Sequence, residues 1–413
     1  MAEMTDVAGS ATKLRDIKII SLVGAAHFMS HVYVIMLPPL FIFARADYDI
    51  SFAQLGFAMA VFGFCSATLQ TPAGYIVDRF GSGPLLIFGL VLSGTGAAII
   101  GLVPHYWALV AGYACLGLAN TIYHPADYAI LSHGVSAPRM AQAYSVHTFL
   151  GMAGQAVTPV FMLGMASVWG WHSGFLGVAV ITYLVAIALL LQKGTLVDRR
   201  GAEQRKEGVG GKPAPGGWRL LLSGPIFRSF IFFAFLTMTG NALSNFSIVA
   251  FGALHGTPIE AANIALTAFL IFNALGVLSA GVIADRLKNP VRVAAIGLAA
   301  SGVTILILAY VNFSPIFLIV MMTLTGFLNG MIMPSRDLIV RAVTPPGSFG
   351  LVFGFVSTGF AVSAVIAPPL YGWLMDQGEP RVILLCAAAF TILSLLMAQT
   401  ARPAKTPAAA ANK

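Results

Sequence analysis

Two ionisable residues, Asp127 and Arg336, stand inside apolar runs that are long enough to cross a bilayer. A charge near the centre of a membrane helix costs about 2.5–3.5 kcal/mol on insertion scales, so such residues are rare and usually functional. The two positions are 209 residues apart, and a glycine, an asparagine and a proline precede each of them at the same spacing. This shared spacing predicts two equivalent sites of opposite charge.

The run that carries Asp127 has a polar face. Asn120, Tyr123, His124 and Asp127 fall at i, i+3, i+4 and i+7, which places them on one side of a helix. We expect Asn120 and Tyr123 to contact a bound solute, and His124 and Asp127 to exchange protons.

Four of the eight histidines lie inside predicted spans of the first half: His27, His31, His124 and His147. An unperturbed imidazole, with a pKa of about 6.5, takes up and releases protons near neutrality. We expect the four to handle protons with Asp127, and His31 and His124 are the leading candidates. Packing in the core is the alternative for each histidine alone. His27 and His31 also have zinc-compatible H-x-x-x-H spacing, but the glutamate of H-E-x-x-H is absent, and we predict no metal site.

The second half offers Arg336 with three asparagines. Asn329 shares its helix face, and Asn241 and Asn245 lie one turn apart on another span. An arginine beside amides suits a carboxylate, phosphonate or phosphate, because its planar fork donates two parallel hydrogen bonds. We therefore expect these four residues to bind an anionic group.

Two structural alternatives concern the same charges. Asp127 and Arg336 could form a permanent ion pair that only holds the halves in register. Asp337 lies one turn before Arg341, and we expect these two residues to form a local salt bridge.

The composition indicates what kind of chain carries these residues. Of 413 residues, 58% are hydrophobic and 9% are charged, whereas soluble proteins carry about 25% charged residues. Apolar runs of about 20 residues recur along the chain and indicate an all-α polytopic membrane protein. The three cysteines lie in apolar runs and indicate no disulfide framework. The basic residues follow the membrane topology, so the net charge of +8 does not indicate nucleic-acid binding.

Twelve spans divide into two six-helix bundles. We predict a cytosolic tail at 1–17, a first bundle at 18–192, a Gly- and Pro-rich cytosolic linker at 193–222, a second bundle at 223–400 and a tail at 401–413. The predicted spans are 18–44, 52–77, 83–103, 106–132, 141–166, 173–192, 225–253, 261–284, 291–311, 315–342, 350–375 and 381–400.

The distribution of basic residues predicts the orientation. With the N-terminus in the cytosol, 20 of the 23 lysines and arginines are cytosolic, two (Arg45 and Arg381) are outside, and Arg336 is within the membrane. The positive-inside rule therefore places both termini in the cytoplasm of a cell (inner) membrane protein.

A repeated loop motif supports an internal duplication. The loop after span two reads Gly74-Tyr-Ile-Val-Asp78-Arg79-Phe-Gly81, and the loop after span eight reads Gly281-Val-Ile-Ala-Asp285-Arg286-Leu-Lys288. Two six-helix repeats of this kind place a solute near the midplane between the halves.

Twelve spans, two halves and this loop motif resemble the major facilitator superfamily. Ser30-His31 and Tyr123-His124-Pro125 resemble its fosmidomycin-resistance branch of drug and anion exporters. The resemblance implies that spans one, four, seven and ten line a central cavity, with Asp127 and Arg336 turned towards each other across it. It also implies a conformational latch formed by the loop residues Gly74, Asp78, Arg79, Gly81, Asp285 and Arg286. Lys288, in place of the second glycine, departs from the motif.

These observations predict a secondary active transporter for a small anionic or amphiphilic organic solute. We expect alternating access, proton coupling and export, no cofactor besides the proton gradient, and a monomer whose partners are the solute and the bilayer. Proton-coupled import of an organic carboxylate is the alternative, and a membrane sensor without transport is a remote one. We predict no enzyme, because the sequence has no G-x-S-x-G, phosphate-loop or Rossmann motif.

Overall fold

Long apolar helices make up most of this computed structural model, which describes residues 2–196, 217–287, 290–345 and 348–400. Within these residues, eleven helical segments are long and apolar enough to cross a membrane. A twelfth helix, Tyr106–Gly134, is also long enough with 29 residues, but its polar residues lower its mean hydropathy. The chain is a multi-pass, all-α membrane protein with twelve membrane-length helical segments in its described part.

The chain packs as two compact units, Met1–Gly210 and Gly211–Lys413. Short 3₁₀ turns at Pro38–Leu40, Ala137–Arg139 and Lys193–Thr195 join or follow helices of the first unit. Its helices are α1 (Ala2–Ile35), α2 (Phe41–Tyr48), α3 (Phe52–Phe80), α4 (Ser82–Leu102), α5 (Tyr106–Gly134), α6 (Met140–Trp169) and α7 (His172–Leu191).

The second unit begins with a short helix and contains one span that changes helix type. That span is α9 and α10, joined by a π-helical turn at Ala242–Phe246. The helices are α8 (Gly217–Leu221), α9 (Gly224–Asn241), α10 (Ser247–His255), α11 (Ile259–Leu287), α12 (Pro290–Tyr310), α13 (Pro315–Val343), α14 (Phe349–Asp376) and α15 (Pro380–Thr400).

The structure differs from the predicted boundaries at the N-terminal end. Residues 2–17, predicted as a tail, belong to the first helix, which starts at Ala2. The span predicted at 18–44 is interrupted, because Pro38 and Pro39 lack the backbone N–H that continues an α-helix. Most of the predicted linker (197–216) and the C-terminal tail (401–413) lie outside the described residues.

The predicted seventh span, 225–253, is also not a uniform α-helix. A π-helical turn interrupts it at Ala242–Phe246. The turn itself contains neither proline nor glycine, but Gly240 lies two residues before it and weakens the helix at this point. Such turns inside α-helices are frequent at functional sites.

Both units repeat one pattern of helix pairing. In the first unit α3 packs on α5, α4 packs on α5 and α7, and α1 packs on α6. In the second unit α11 packs on α13, α12 packs on α13 and α15, and α9 packs on α14. The packing thus shows the duplication that the sequence predicts, and it makes α5 and α13 equivalent helices.

Glycines permit one of these pairings in both copies. A Cβ on Gly117 of α5 would collide with the backbone of Phe62 on α3, and a Cβ on Gly326 of α13 would collide with the backbone of Phe269 on α11. Small residues at membrane-helix interfaces allow such close approach. The two central helices, which carry Asp127 and Arg336, are therefore held tightly against equivalent neighbours.

Candidate functional site

Asp127 lies completely buried in the first unit, between residues of α1 and α6. Its Oδ2 atom is 3.2 Å from His27 Nδ1 and 3.1 Å from His147 Nε2. An ionised carboxylate only accepts hydrogen bonds, so both imidazoles would donate an N–H to this one oxygen. The other oxygen, Oδ1, is buried without a hydrogen-bond partner among the described residues.

The remaining histidines surround this carboxylate. The His27 ring stacks on the His147 ring, with centroids 3.6 Å apart and planes 21° apart. The His31 and His124 rings lie 4.7 Å and 5.2 Å from the His27 ring. The structure therefore brings together all five residues predicted to handle protons, and we call them the histidine–aspartate cluster.

Two glycines of α6 allow the cluster to form. A Cβ on Gly151 would lie 2.8 Å from His27 Nε2 and 2.9 Å from His31 Cδ2. A Cβ on Gly154 would collide with the backbone of Phe28 on α1. Because both positions are glycine, α6 approaches α1 closely enough for His147 and His27 to share the carboxylate. The sequence shows the spacing of these glycines, but not which rings they accommodate.

The same cluster has donor atoms of the kinds that bind a transition metal. His27, Asp127 and His147 each offer one such atom, all within 4.8 Å of one another. The two ring nitrogens that reach Asp127 Oδ2 as hydrogen-bond partners are the same atoms that would bind an ion. Each nitrogen can serve either as an N–H donor to the carboxylate or as a metal ligand, but not as both at once.

His124 and Tyr128 connect the cluster to the surface of the unit. His124 is partly exposed, and its ring stacks on that of Tyr128 with centroids 6.2 Å apart. The Tyr128 side chain is exposed. His124 and Tyr128 therefore lie between the buried cluster and the surface of the unit. Tyr128 was not predicted from the sequence, although it directly follows Asp127.

Two residues predicted to bind the solute contact helices of their own unit instead. Asn120 donates to Ser66 Oγ of α3 at 3.2 Å. Tyr123 is completely buried, and its hydroxyl is 2.9 Å from Ser93 Oγ of α4. The side chains of the predicted polar face contact different helices, because three neighbouring helices surround α5. Both residues help to position α5, and their predicted contact with the solute stays a prediction.

The candidate site of the second unit surrounds the Arg336 guanidinium on α13, which is 14% exposed. Its Cζ atom lies 4.5 Å from the Phe233 ring centroid and 5.1 Å from the Phe360 ring centroid. These rings come from α9 and α14, and their centroids are only 4.9 Å apart. Both rings therefore lie on one side of the guanidinium and attract it through cation–π interactions.

The described polar contacts of Arg336 leave part of its donor edge available. Nε donates to Asp337 Oδ1 at 2.9 Å, and Nη1 contacts the Met333 sulfur at 3.3 Å. A thioether is a weak acceptor. Most of the N–H groups on the two Nη atoms consequently have no strong acceptor among the described residues.

The contact with Asp337 corrects one prediction. We expected Asp337 to pair with Arg341, but its carboxylate accepts from Arg336. Arg341 is exposed and its charge is stabilised by solvent, whereas the guanidinium of Arg336 borders an apolar core and takes the nearest carboxylate.

The asparagines predicted near Arg336 have local partners. Asn329 is buried and donates to Ser301 Oγ of α12 at 3.3 Å, and its predicted contact with solute stays a prediction. Asn245 donates to Asn241 Oδ1 at 2.8 Å, and Asn241 donates to the Thr237 carbonyl at 3.0 Å. Asn241 directly precedes the π-helical turn and Asn245 lies within it, and the predicted contact of this pair with solute stays a prediction.

Of the predicted latch, the structure describes the glycine that ends α3 and one arginine. Gly81 has a φ of +93°, in a region that favours glycine, and its N–H donates to the Val77 carbonyl. The Arg79 guanidinium lies over the Phe80 ring at 5.6 Å. Gly74 lies within α3, and the side chains of Asp78, Asp285 and Arg286, and residue Lys288, lie outside what the structure describes. The latch stays a prediction.

The sequence analysis also missed a buried ion pair at one end of the first unit. Asp16 of α1 accepts from Arg139 Nη1 at 2.7 Å and from Ser136 Oγ at 2.5 Å. The partners are more than 100 residues apart and share no motif. This contact joins the middle of α1 to the connection between α5 and α6.

Comparisons with known proteins agree with this architecture. The family model of the Major Facilitator Superfamily matches residues 23–257 and 230–413. The chain is 22% identical over 385 residues to the uncharacterized MFS-type transporter YfnC of Bacillus subtilis, covering 92% of this chain and 91% of that protein. It is also 22% identical over 355 residues to the probable sulfoacetate transporter SauU of Cupriavidus necator, covering 81% of each.

One solved structure has a similar fold. It is a bacterial homolog of the human lysosomal transporter Spinster, in an inward-facing and occupied conformation, with a TM-score of 0.71 and 13% sequence identity. The match covers 93% of this chain and 96% of that one.

Proposed function

This chain belongs to the major facilitator superfamily of transporters, and from that premise we propose that it exports a small organic anion in exchange for protons by alternating access. The observation that carries this proposal is that each unit holds one ionisable centre among its membrane helices, and that the two centres differ in kind. The first unit has a carboxylate with imidazole donors, and the second has a guanidinium with an available donor edge.

The histidine–aspartate cluster supplies the proton site. Its carboxylate accepts from two imidazoles, and the partly exposed His124 ring lies 5.2 Å from the His27 ring. A change of net charge inside a membrane bundle is costly, so the protonation state biases which conformations the unit adopts. Proton uptake and release at Asp127 thereby couple to the transport cycle.

Arg336 supplies the anion site. The guanidinium has an available edge for two parallel hydrogen bonds to a carboxylate, sulfonate or phosphonate. Asn241 and Asn245 add amide groups on the span that also carries Phe233. We assign Arg336 the role of holding the charged group.

Membrane voltage supports export over import. The cell interior is negative, and moving one charge across 100 mV changes its free energy by about 2.3 kcal/mol. Exit of an anion and entry of a proton are both favourable in this field. Import of the same anion needs at least one accompanying proton for its charge to be cancelled. The resemblance of Ser30-His31 and Tyr123-His124-Pro125 to a branch of exporters also favours export.

Reconstituted vesicles test the mechanism directly. The purified chain is placed in liposomes that contain a pH-sensitive dye and are loaded with alkanesulfonates, which are permanently ionised monoanions. We expect anion efflux to drive proton entry and to accelerate when a potassium diffusion potential makes the interior negative. Liposomes without protein and liposomes with Asp127→Asn serve as controls.

Two results would contradict the proposal. Anion movement that ignores both the pH gradient and the voltage excludes proton exchange. Anion and proton movement in the same direction, without response to voltage, would instead establish one-to-one import with protons.

The remaining elements of the proposal concern location and assembly. We place the protein in the inner membrane with both termini in the cytoplasm, which the 20 to 2 asymmetry of basic residues supports. We propose that it acts as a monomer, because one chain contains both the proton site and the anion site.

A further inference from the structure

We infer that the transported solute is a monoanion with an apolar body, and that Arg336, Phe233 and Phe360 select it. This inference rests on the proposed function, since it assumes that Arg336 holds the anion. The contacts of the guanidinium carry the argument, because they define both the charge and the surface that a solute would meet.

The charge around Arg336 suits a single negative group. Its described contacts are Asp337, Met333, Phe233 and Phe360, and none of these is basic. The Asp337 carboxylate, half exposed, already balances part of the arginine charge. When a monoanion binds at the Nη edge, the one positive charge of Arg336 faces two negative groups, the anion and Asp337. A dianion would add a second uncompensated charge at the border of an apolar core, which is costly.

The walls of the site suit an apolar body. Phe233 and Phe360 cover one side of the guanidinium, and the Met333 thioether lies against its Nη1 atom. Phe233 is buried within the apolar core that also contains Ile332 and Ile339, and the partly buried Phe360 packs against that core, so Phe360 is the ring that a solute would meet first. Hydroxyl groups placed against these walls would lose water without gaining a hydrogen-bond partner. A hydrocarbon chain or ring would gain contact instead.

An aromatic strip extends this surface. Phe227, Phe230 and Phe233 follow one another at three-residue intervals on α9. The Phe230 ring stacks on Phe227 at 5.8 Å and on Phe355 of α14 at 5.2 Å. Phe227 is exposed, and Phe230 and Phe355 are partly exposed. The strip offers an apolar surface for the body of a solute beyond its charged head.

Three six-carbon carboxylates test the inference because they differ in one property at a time. Hexanoate is an apolar monoanion, gluconate is a hydroxylated monoanion and adipate is a dianion. Radiolabelled hexanoate is bound to the full chain in lipid nanodiscs and displaced by each unlabelled acid. We expect hexanoate to displace the label at a concentration at least about tenfold lower than gluconate or adipate.

Variants locate the selectivity. Phe360→Ala should weaken the affinity for hexanoate about tenfold and leave the affinity for gluconate nearly unchanged. The control Phe235→Ala alters a ring stacked on Phe390 at 5.3 Å and should change neither affinity. Asp337→Asn removes a negative charge and should raise the affinity for adipate relative to that for hexanoate about tenfold. Arg336→Gln should abolish binding of all three acids. The rank order in the unmodified protein tests the inference even if a variant does not fold.

The outcomes separate the inference from the proposed function. If gluconate or adipate competes as well as hexanoate and Arg336→Gln abolishes that binding, the selectivity is wrong but the anion site stands. If hexanoate binds equally well to Arg336→Gln, both the anion site and the selectivity fail.

Discussion

Asp127 and Arg336 occupy equivalent helices of the two units, but their surroundings differ in nearly every chemical property. The carboxylate is completely buried and has two imidazole donors. The guanidinium is partly exposed and lies against two phenyl rings. Duplication has kept the helix pairing, while the side chains on flanking helices determine what each charge can do.

The flanking helices are themselves equivalent. In the first unit His27 and His147 come from α1 and α6, and in the second Phe233 and Phe360 come from α9 and α14. Since α1 pairs with α6 as α9 pairs with α14, the same two directions supply imidazoles in one unit and phenyl rings in the other. One scaffold thereby yields a proton site and an apolar anion site.

Replacement of Asp127 should have the largest effect, because it removes the only carboxylate of the cluster. We expect Asp127→Asn to lower proton-driven anion transport about a hundredfold, which is the factor corresponding to 2.5–3.5 kcal/mol. Anion binding, which the other unit supplies, should change by less than about threefold. Dye-loaded liposomes measure transport, and equilibrium binding in nanodiscs measures affinity.

A loop aspartate supplies the control for this variant. Asp49 has a φ of +49°, which asparagine also tolerates, so Asp49→Asn should fold and transport normally. Full proton-driven transport by Asp127→Asn would place the proton site elsewhere and remove the functional contrast between the two units.

Replacement of Arg336 by lysine should have the next largest effect. Lysine keeps the positive charge but cannot donate the two parallel hydrogen bonds or lie flat against the rings. We expect anion affinity to fall about tenfold to a hundredfold, as for the loss of a charged hydrogen bond of about 1.5–3 kcal/mol. Coupling of the remaining transport to protons should persist.

The matched control is an arginine with a similar ring contact outside the site. Arg45 lies over Phe52 at 4.7 Å, and Arg45→Lys should leave affinity unchanged. An Arg336→Lys variant with full affinity would show that charge alone, without the fork, holds the solute.

The sequence predicted the units and their charges better than it predicted contacts. Apolar run length, basic-residue asymmetry and the repeat define twelve spans, and helical periodicity places His124 and Asp127 on one face. Periodicity along α5 cannot say which neighbour each residue meets. Tyr123 and Asp127 share that face, yet Tyr123 contacts α4 and Asp127 contacts α1 and α6.

The aromatic wall of Arg336 escaped prediction for a related reason. Phe233 and Phe360 are 127 residues apart and belong to apolar runs with many phenylalanines, so nothing local distinguishes them. Only the packing of α9 and α14 against α13 brings them to the guanidinium. Asp337 is a second case, since its spacing fits Arg341 while the environment of Arg336 determines its partner.

Crowding of the cluster should have a moderate effect. A methyl group at Gly151 would press on both His27 and His31, and overpacking of this kind costs about 1–3 kcal/mol. We expect Gly151→Ala to slow proton-driven transport about tenfold without altering anion affinity. Gly164 lies on the same helix with open space at its Cβ position, so Gly164→Ala is the control. Equal behaviour of the two variants would show that the separation of α1 and α6 does not matter for the proton site.

Removal of metal ions should have the smallest effect, which is none. The proposed proton site needs His27 Nδ1 and His147 Nε2 as N–H donors to Asp127 Oδ2, and a bound ion would occupy the same nitrogens. We therefore expect proton-driven transport to be unchanged after dialysis against EDTA. Metal analysis of the purified protein should find much less than one transition-metal ion per chain. A stoichiometric ion that is lost in Asp127→Asn would show that the cluster binds a metal, and the two units would then differ as a metal site and an anion site.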